Sequence, residues 1–512
     1  MNKQSREMNS IRNIFITIIN QCVSLILNFA AKTVFIKVLG EEYLGVNGLF
    51  SNIFLLFSFA EFGIGSAMIY SLYVPIAKND TVKISGLFYY YKKLYQKMSL
   101  FIAIAGLLVL PFLNVIIKTD GEINGLIIYY LAFLLNTIIF NLFSYKTYLI
   151  IADQRKYKLS IYQMIFDSLA YILQIILLLT TGNYLLYLLI VCIKTIGTNF
   201  VVGRDIHKSY GFVRQAGKID EEDKSEIKEN VKALFLYKFA RVLITGTDNI
   251  IISVLIGTVW VGYYSNYDMV VIGVSSIINI IFTALSASVG NLVAEKSVNH
   301  MYDIFNIVQV AAVWISGVTT ICMLVLFQDF IHLWVGVQYV LPFPVVIVIA
   351  INYYLSCIRD STKIFREAAG IFVKIKNMMI LTAVINLILS VILGKILGVF
   401  GVLAATTIAI LTTYYWYEPL LIYRSMKAGR IRDYFRLQLV SILFLITGTI
   451  LLKFCLGFMK ELTWTGFIIK VLLCLIISNL YYMLLLGHRK EIKYIYSMVQ
   501  RVWNRRKYVR KS

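Results

Sequence analysis

The sequence predicts an all-α polytopic membrane protein, and three observations carry that expectation. Its 512 residues are 59% hydrophobic and hold only 5 prolines, whereas soluble domains are about 45 to 50% apolar. Apolar windows of about 18 residues or more, long enough to span a bilayer as a helix, recur along the whole length. The net charge of +22 gathers in alternate connections, which is how a membrane topology distributes basic residues.

The windows place helices over 13–37, 47–74, 98–117, 125–150, 161–181, 184–203, 233–257, 262–290, 304–327, 343–363, 378–397, 401–423, 437–456 and 466–487, fourteen in all. The first is retained rather than cleaved, since its apolar run from Ile14 to Leu39 exceeds the roughly 7 to 15 residues of a signal-peptide core. Basic connections contain Lys78, Lys83, Lys92, Lys93 and Lys97; then Arg155, Lys156 and Lys158; then Lys363, Arg366, Lys374 and Lys376; then Arg424, Lys427, Arg430, Arg432 and Arg436. The opposite connections hold little beyond Lys37, Lys118 and Lys460. The first set is therefore expected in the cytoplasm. Both termini are basic too, which puts both inside and requires an even number of helices. The charge thus speaks for anionic membrane lipids rather than nucleic acid, the tail from Arg489 to Lys511 lying on headgroups at about 1 kcal/mol per basic residue.

The six cysteines and four histidines are scattered singly, without the spacing of a disulfide framework or a metal site. The cysteines read as small apolar residues, and no cofactor is expected.

The chain divides into an N-terminal six-helix lobe over 1–203, a polar connector over 204–232, a second six-helix lobe over 233–436, two further helices over 437–487 and a basic tail over 488–512. A short internal repeat accompanies this division. Val38-Leu39-Gly40 is followed after four residues by Gly45, and Leu255-Ile256-Gly257 after four residues by Gly262. Each unit is helix, glycine, short external turn, glycine, helix, at matching points of two blocks, as transporter repeats are built.

Ionisable residues inside apolar segments are the functional candidates, because a charge at mid-bilayer costs about 2.5 to 3.5 kcal/mol on insertion scales and must face protein or water. The segment 233–257 carries three: Lys238, Arg241 and Asp248. On an ideal helix they share nearly one face, with positive charge in excess. That stripe is either an anion site or a buried ion pair that locks helix to helix. Lys32, Glu61, Asp167, Lys194 and Asp268 complete the set. Lys32 and Lys194 could reach an interface by extending their stems, whereas Glu61 has to pair or titrate, as a proton-coupled carrier would use it. Substrate binding is assigned to Arg241, Lys238 and Lys32, and a charge network to Glu61, Asp248 and Lys194. No Walker A loop, dinucleotide fingerprint or HExxH helix is present, so an enzyme or an ATP-driven pump is not expected.

Five strings then acquire a joint meaning: LGEEYLGVNGLFSNI (Leu39 to Ile53), FAEFGIGSAMIYSLYVPIA (Phe59 to Ala77), TGTDNIIISVLIGTVWVGYYSNY (Thr245 to Tyr267), FREAAGIF (Phe365 to Phe372) and NLILSVILGKILGVFGV (Asn386 to Val402). Together they resemble Wzx-type oligosaccharide flippases of Gram-positive surface-polysaccharide clusters, within the MOP exporter superfamily that also holds MATE transporters and lipid II flippases. The resemblance implies two six-helix lobes with pseudo-two-fold symmetry plus two C-terminal helices, working by alternating access. It also implies a cationic cavity for the pyrophosphate of an undecaprenyl-linked repeat unit, matched here by Lys32, Lys238 and Arg241. Val74, before Pro75, stands where a basic residue is expected. Polymerases and glycosyltransferases of the same pathway are the implied protein partners, and the cell membrane the implied location. The competing classes are an integral-membrane polymerase or glycosyltransferase, which should show a large external loop, and a MATE-type cation or drug exporter, which should show a net acidic cavity.

Overall fold

The computed structural model describes residues 3–117, 123–214, 246–294, 298–368, 372–426, 429–459 and 462–494, with short pieces between 217 and 244 and at 496–497. These residues are helical, with no strand among them. The helices are α1 (Lys3–Phe57), α2 (Phe59–Lys78), α3 (Thr81–Val109), α4 (Leu113–Ile116), α5 (Leu126–Phe143), α6 (Tyr145–Ala152), α7 (Lys156–Thr181), α8 (Tyr184–Ser209), α9 (Asp248–Leu255), α10 (Thr258–Ala294), α11 (Val298–Val335), α12 (Phe343–Ala368), α13 (Phe372–Thr412), α14 (Tyr414–Met426), α15 (Ile431–Leu456) and α16 (Trp464–Leu486). Among the described residues, ten helical stretches are long and apolar enough to cross a membrane.

Several boundaries differ from the hydropathy windows, each for a local reason. The first two predicted helices run into one another as α1, which turns sharply at Gly40 (φ 84, ψ −171). That region of backbone space is open in practice to glycine alone. The second predicted helix then breaks at Ser58 before α2. Gly398 (φ 60, ψ −142) turns α13 in the same manner. The third predicted helix starts at Thr81 rather than 98, because Asp80 caps it, its carboxylate accepting the Lys83 amide at 2.9 Å. The basic run from Lys83 to Lys97 therefore belongs to a helix, not to a loop.

The chain forms two compact units, one of residues 1–265 with 383–402 and another of residues 266–382 with 403–512. In the first, α1 packs on α7, α7 on α8, α5 on α3 and α8, and α2 on α3 and α6. Its interior holds an aromatic cluster in which Tyr184 lies 5.5 Å from Phe35, 5.3 Å from Tyr43 and 4.8 Å from Tyr129. In the second, α11 packs on α12, α15 and α16. Leu439, Leu443, Ile446, Ile450 and Phe454 on α15 and Ile469, Leu472, Ile476, Leu480 and Leu484 on α16 are exposed. Such apolar stripes are satisfied by lipid, and water would not tolerate them.

Tyr91, Tyr95, Tyr130, Tyr184, Tyr267, Tyr414 and Tyr482 are fully buried, so these tyrosines fill cores. Cys322 and Cys474, 152 positions apart, lie with their sulfurs 3.5 Å from each other between α11 and α16. They are a pair that only the packing of two helices creates.

Candidate functional site

The glycine repeat brings its own two copies together in the first unit. A Cβ added at Gly45 would stand 2.1 Å from the Thr258 carbonyl oxygen, and one at Gly262 would stand 2.9 Å from the Glu41 carbonyl oxygen. Small residues are what allow helix backbones to approach this closely in a membrane. The contact carries polar groups on both flanks. Lys32 donates from Nζ to the Ser265 carbonyl at 2.8 Å, and the Tyr263 hydroxyl donates to Glu41 Oε2 at 2.9 Å. Below it, Ser253 Oγ donates to the Ile116 carbonyl at 2.7 Å and lies 2.9 Å from the Thr258 hydroxyl.

Lys32 is half-buried against α10. Lys194 is ion-paired with Asp167 at 3.0 Å between α7 and α8, which joins two of the sequence candidates directly. Asp248 is buried in the first turn of α9, where a carboxylate complements the positive end of the helix dipole. The chain bends one residue earlier, at Thr247, whose hydroxyl donates back to the Leu243 carbonyl at 2.8 Å. A straight helix over 233–257 was the premise for the common face of Arg241 and Asp248, and back-bonding of this kind bends helices. Lys238 and Arg241 lie outside the described residues. Glu61 falls on α2, and its side chain lies outside them as well.

The second unit contains ionic structure that the sequence reading missed. Arg366 and Glu418 pair at 2.9 Å with both side chains only 2% exposed. Arg366 counts as a cytoplasmic connection residue by hydropathy, yet α12 carries it into the protein. Glu418, a lone carboxylate in an apolar stretch followed by Pro419, was the available signal. Two turns earlier on α12, Arg359 donates to the Tyr414 hydroxyl at 2.8 Å. Lys470 and Asp329 pair at 2.6 Å between α16 and α11.

An ammonium has three donors and no acceptor. Lys32 spends one of its donors on the Ser265 carbonyl.

No protein-family model matches the chain, and no curated protein matches it. Among solved structures, the fold is that of MOP-superfamily transporters. It is similar to an inward-facing multidrug resistance MATE family transporter with a TM-score of 0.67 at 13% identity, covering 81% of this chain and 100% of that one. It is similar to the lipid II flippase MurJ in an inward closed conformation with a TM-score of 0.64 at 15% identity, covering 92% and 99%. A MOP superfamily transporter from Pyrococcus furiosus, described as having a binding pocket of reversed polarity, gives 0.59 at 15% identity, covering 83% and 97%.

Proposed function

We propose that the chain is a flippase that exports undecaprenyl-pyrophosphate-linked oligosaccharide repeat units across the cell membrane by alternating access, for surface-polysaccharide biosynthesis. The observation that carries this reading is the extent of the fold likeness. The lipid II flippase accounts for 92% of the chain and the MATE transporter for 81%, the difference expected of a fourteen-helix chain that adds two helices to two six-helix lobes. The intramembrane charges support it. A pyrophosphate diester carries about two negative charges and needs a basic surface in place of water, which Lys32, Lys238 and Arg241 supply. Outward movement of that charge is favoured by about 2.3 kcal/mol per charge per 100 mV in an inside-negative cell, so the cycle needs no ATP site. Both termini then face the cytoplasm, where glycosyltransferases build the substrate, and a polymerase receives it outside.

The test is export in cells carrying variants at Arg241. Arg241→Ala should abolish export at normal protein abundance, and Arg241→Lys should retain part of it, because a guanidinium binds phosphate oxygens as a fork and an ammonium as a point charge. Recovery of both abundance and export in Arg241→Ala with Asp248→Ala would make the pair a structural lock and overturn the assignment. The MATE-type cation exporter remains the second reading, favoured by full coverage of that chain. Uptake of an organic cation in place of accumulated lipid-linked oligosaccharide would select it.

A further inference from the structure

One end of the first unit contains a cavity of about 530 Å³ that the charges discussed so far do not use. It is lined by the end of α2, the first turn of α3, the turn between α6 and α7, and the end of α8 with the 3-10 turn Gly211–Arg214, and is open on one side. Lys78, Lys83, Arg155 and Lys158 stand at or beside these helix ends.

Two of its lining residues sit in an unusual backbone conformation. Asn79 (φ 55) and Gln154 (φ 61) are the only non-glycine residues with positive φ among those described, and both line this cavity. Each ends a helix in the same way. The Asn79 amide donates to the Ile76 carbonyl and the Asp80 amide to that of Pro75, while the Gln154 amide donates to Ile151 and the Arg155 amide to Ile150. Glycine is the usual residue at this position of such a cap, since it meets no penalty there. Two carboxamides stand at this position instead, an asparagine that tolerates it and a glutamine that rarely adopts it. The turn at Gln154 is braced from α1, where Asn13 donates to the Gln154 carbonyl at 3.0 Å and accepts the Tyr157 amide at 2.6 Å.

Between the two caps lies a fixed polar wall. Buried Asp153 accepts the Tyr210 hydroxyl and pairs with Arg155 Nε at 2.9 Å. The Arg155 guanidinium lies over the Tyr210 ring at 6.0 Å. Burial first, and the Asp153 carboxylate second, push the Tyr210 phenol well above its ordinary range, so it stays a donor. Tyr73 and Phe212 add aromatic surface, and Thr81 and Ser209 add hydroxyls.

This lining does not suit an ion. Its one carboxylate and one guanidinium neutralise each other, and the start of α3, which could attract an anion, is already occupied by the Asp80 carboxylate. It does not suit a lipid chain either, given the carboxamides and hydroxyls. Aromatic faces beside neutral donors and acceptors match a ring that is apolar on its C–H faces and polar at its rim. We propose that this cavity is a saccharide-recognition pocket that reads the neutral sugars of the transported head group, a role that rests on the flippase reading above.

The test uses the full-length protein in nanodiscs and the oligosaccharide released by mild acid from lipid-linked material accumulating in cells that lack the protein. The variant is Asn79→Gly with Gln154→Gly, which removes both carboxamides while relieving both backbones, so that folding is preserved or improved. Calorimetry should show binding of the oligosaccharide to the native protein and an affinity on the order of tenfold lower in the variant, at undiminished thermal stability and with inorganic pyrophosphate binding unchanged. Equal affinity in the two proteins, absence of oligosaccharide binding to the native protein, or a loss of pyrophosphate affinity in the variant would each overturn the pocket while leaving the flippase reading intact. If no lipid-linked oligosaccharide accumulates in cells without the protein, the flippase reading fails and the pocket fails with it.

Discussion

Lys32 and Ser265 are 233 positions apart in the chain, and the lysine ammonium donates to the serine's backbone carbonyl at 2.8 Å. The bond fastens α1 to α10 beside the point where Gly45 and Gly262 let the two helices touch. The contact holds the half-buried ammonium at a fixed place between the two helices.

Lys32→Met should therefore separate two roles. The thioether keeps the packing volume and removes the charge, so protein abundance should stay near normal while export falls by about tenfold or more, the loss of one charge-assisted contact. Lys32→Arg should recover part of the activity. Full export in Lys32→Met would remove Lys32 from the substrate-binding set.

Gly45→Ala should be disruptive through space alone. Its Cβ would enter the Thr258 carbonyl at 2.1 Å, forcing two backbones apart at a cost of about 1 to 3 kcal/mol. Gly40→Ala should be disruptive for the opposite reason. Nothing lies within 4 Å of a Cβ there, but φ of 84 with ψ of −171 is a glycine-only conformation that costs an L-residue about 1 to 3 kcal/mol. Thermal melting in detergent should fall for both, and combining Gly45→Ala with Thr258→Gly should not rescue the first, since the clash is with backbone.

Arg366→Ala and Glu418→Ala should each lower abundance sharply, because either leaves a buried charge without its partner, at about 3 to 5 kcal/mol. Replacing both with apolar residues of similar volume, Arg366→Met with Glu418→Leu, should restore abundance. If the double replacement is abundant but inactive in export, the pair has a role in transport beyond holding α12 to α14.

Glu61→Gln should abolish any dependence of transport in vesicles on a pH gradient, as expected for a carboxylate in an apolar helix that titrates during the cycle. An unchanged pH response with full activity would make Glu61 structural.

The contrast between what hydropathy reveals and what packing decides runs through these residues. Span after span was legible in the sequence because the bilayer obliges each segment to satisfy its own backbone as a helix, and that demand is written in runs of about twenty residues. Gly40 and Gly257 were legible as turns because their spacing repeats. The candidate cations were legible because charge is conspicuous in an apolar run. Partners were not. Nothing local says that Lys32 meets Ser265, that Lys194 takes Asp167, or that Arg366 is buried against Glu418 rather than solvated in a loop.

Those pairings are long-range facts, settled by which helix faces which and at what height, and a pattern with a period of 3.6 residues reports only that a face is apolar. The same limit hid Asn79 and Gln154, since a polar residue at a helix end reads as an ordinary connection until the backbone shows that glycine would have cost less. By itself the sequence determined an all-helical membrane chain with charges that need partners. The tertiary structure alone decided who the partners are, because only the packing of helices brings distant side chains within about 3 Å of one another.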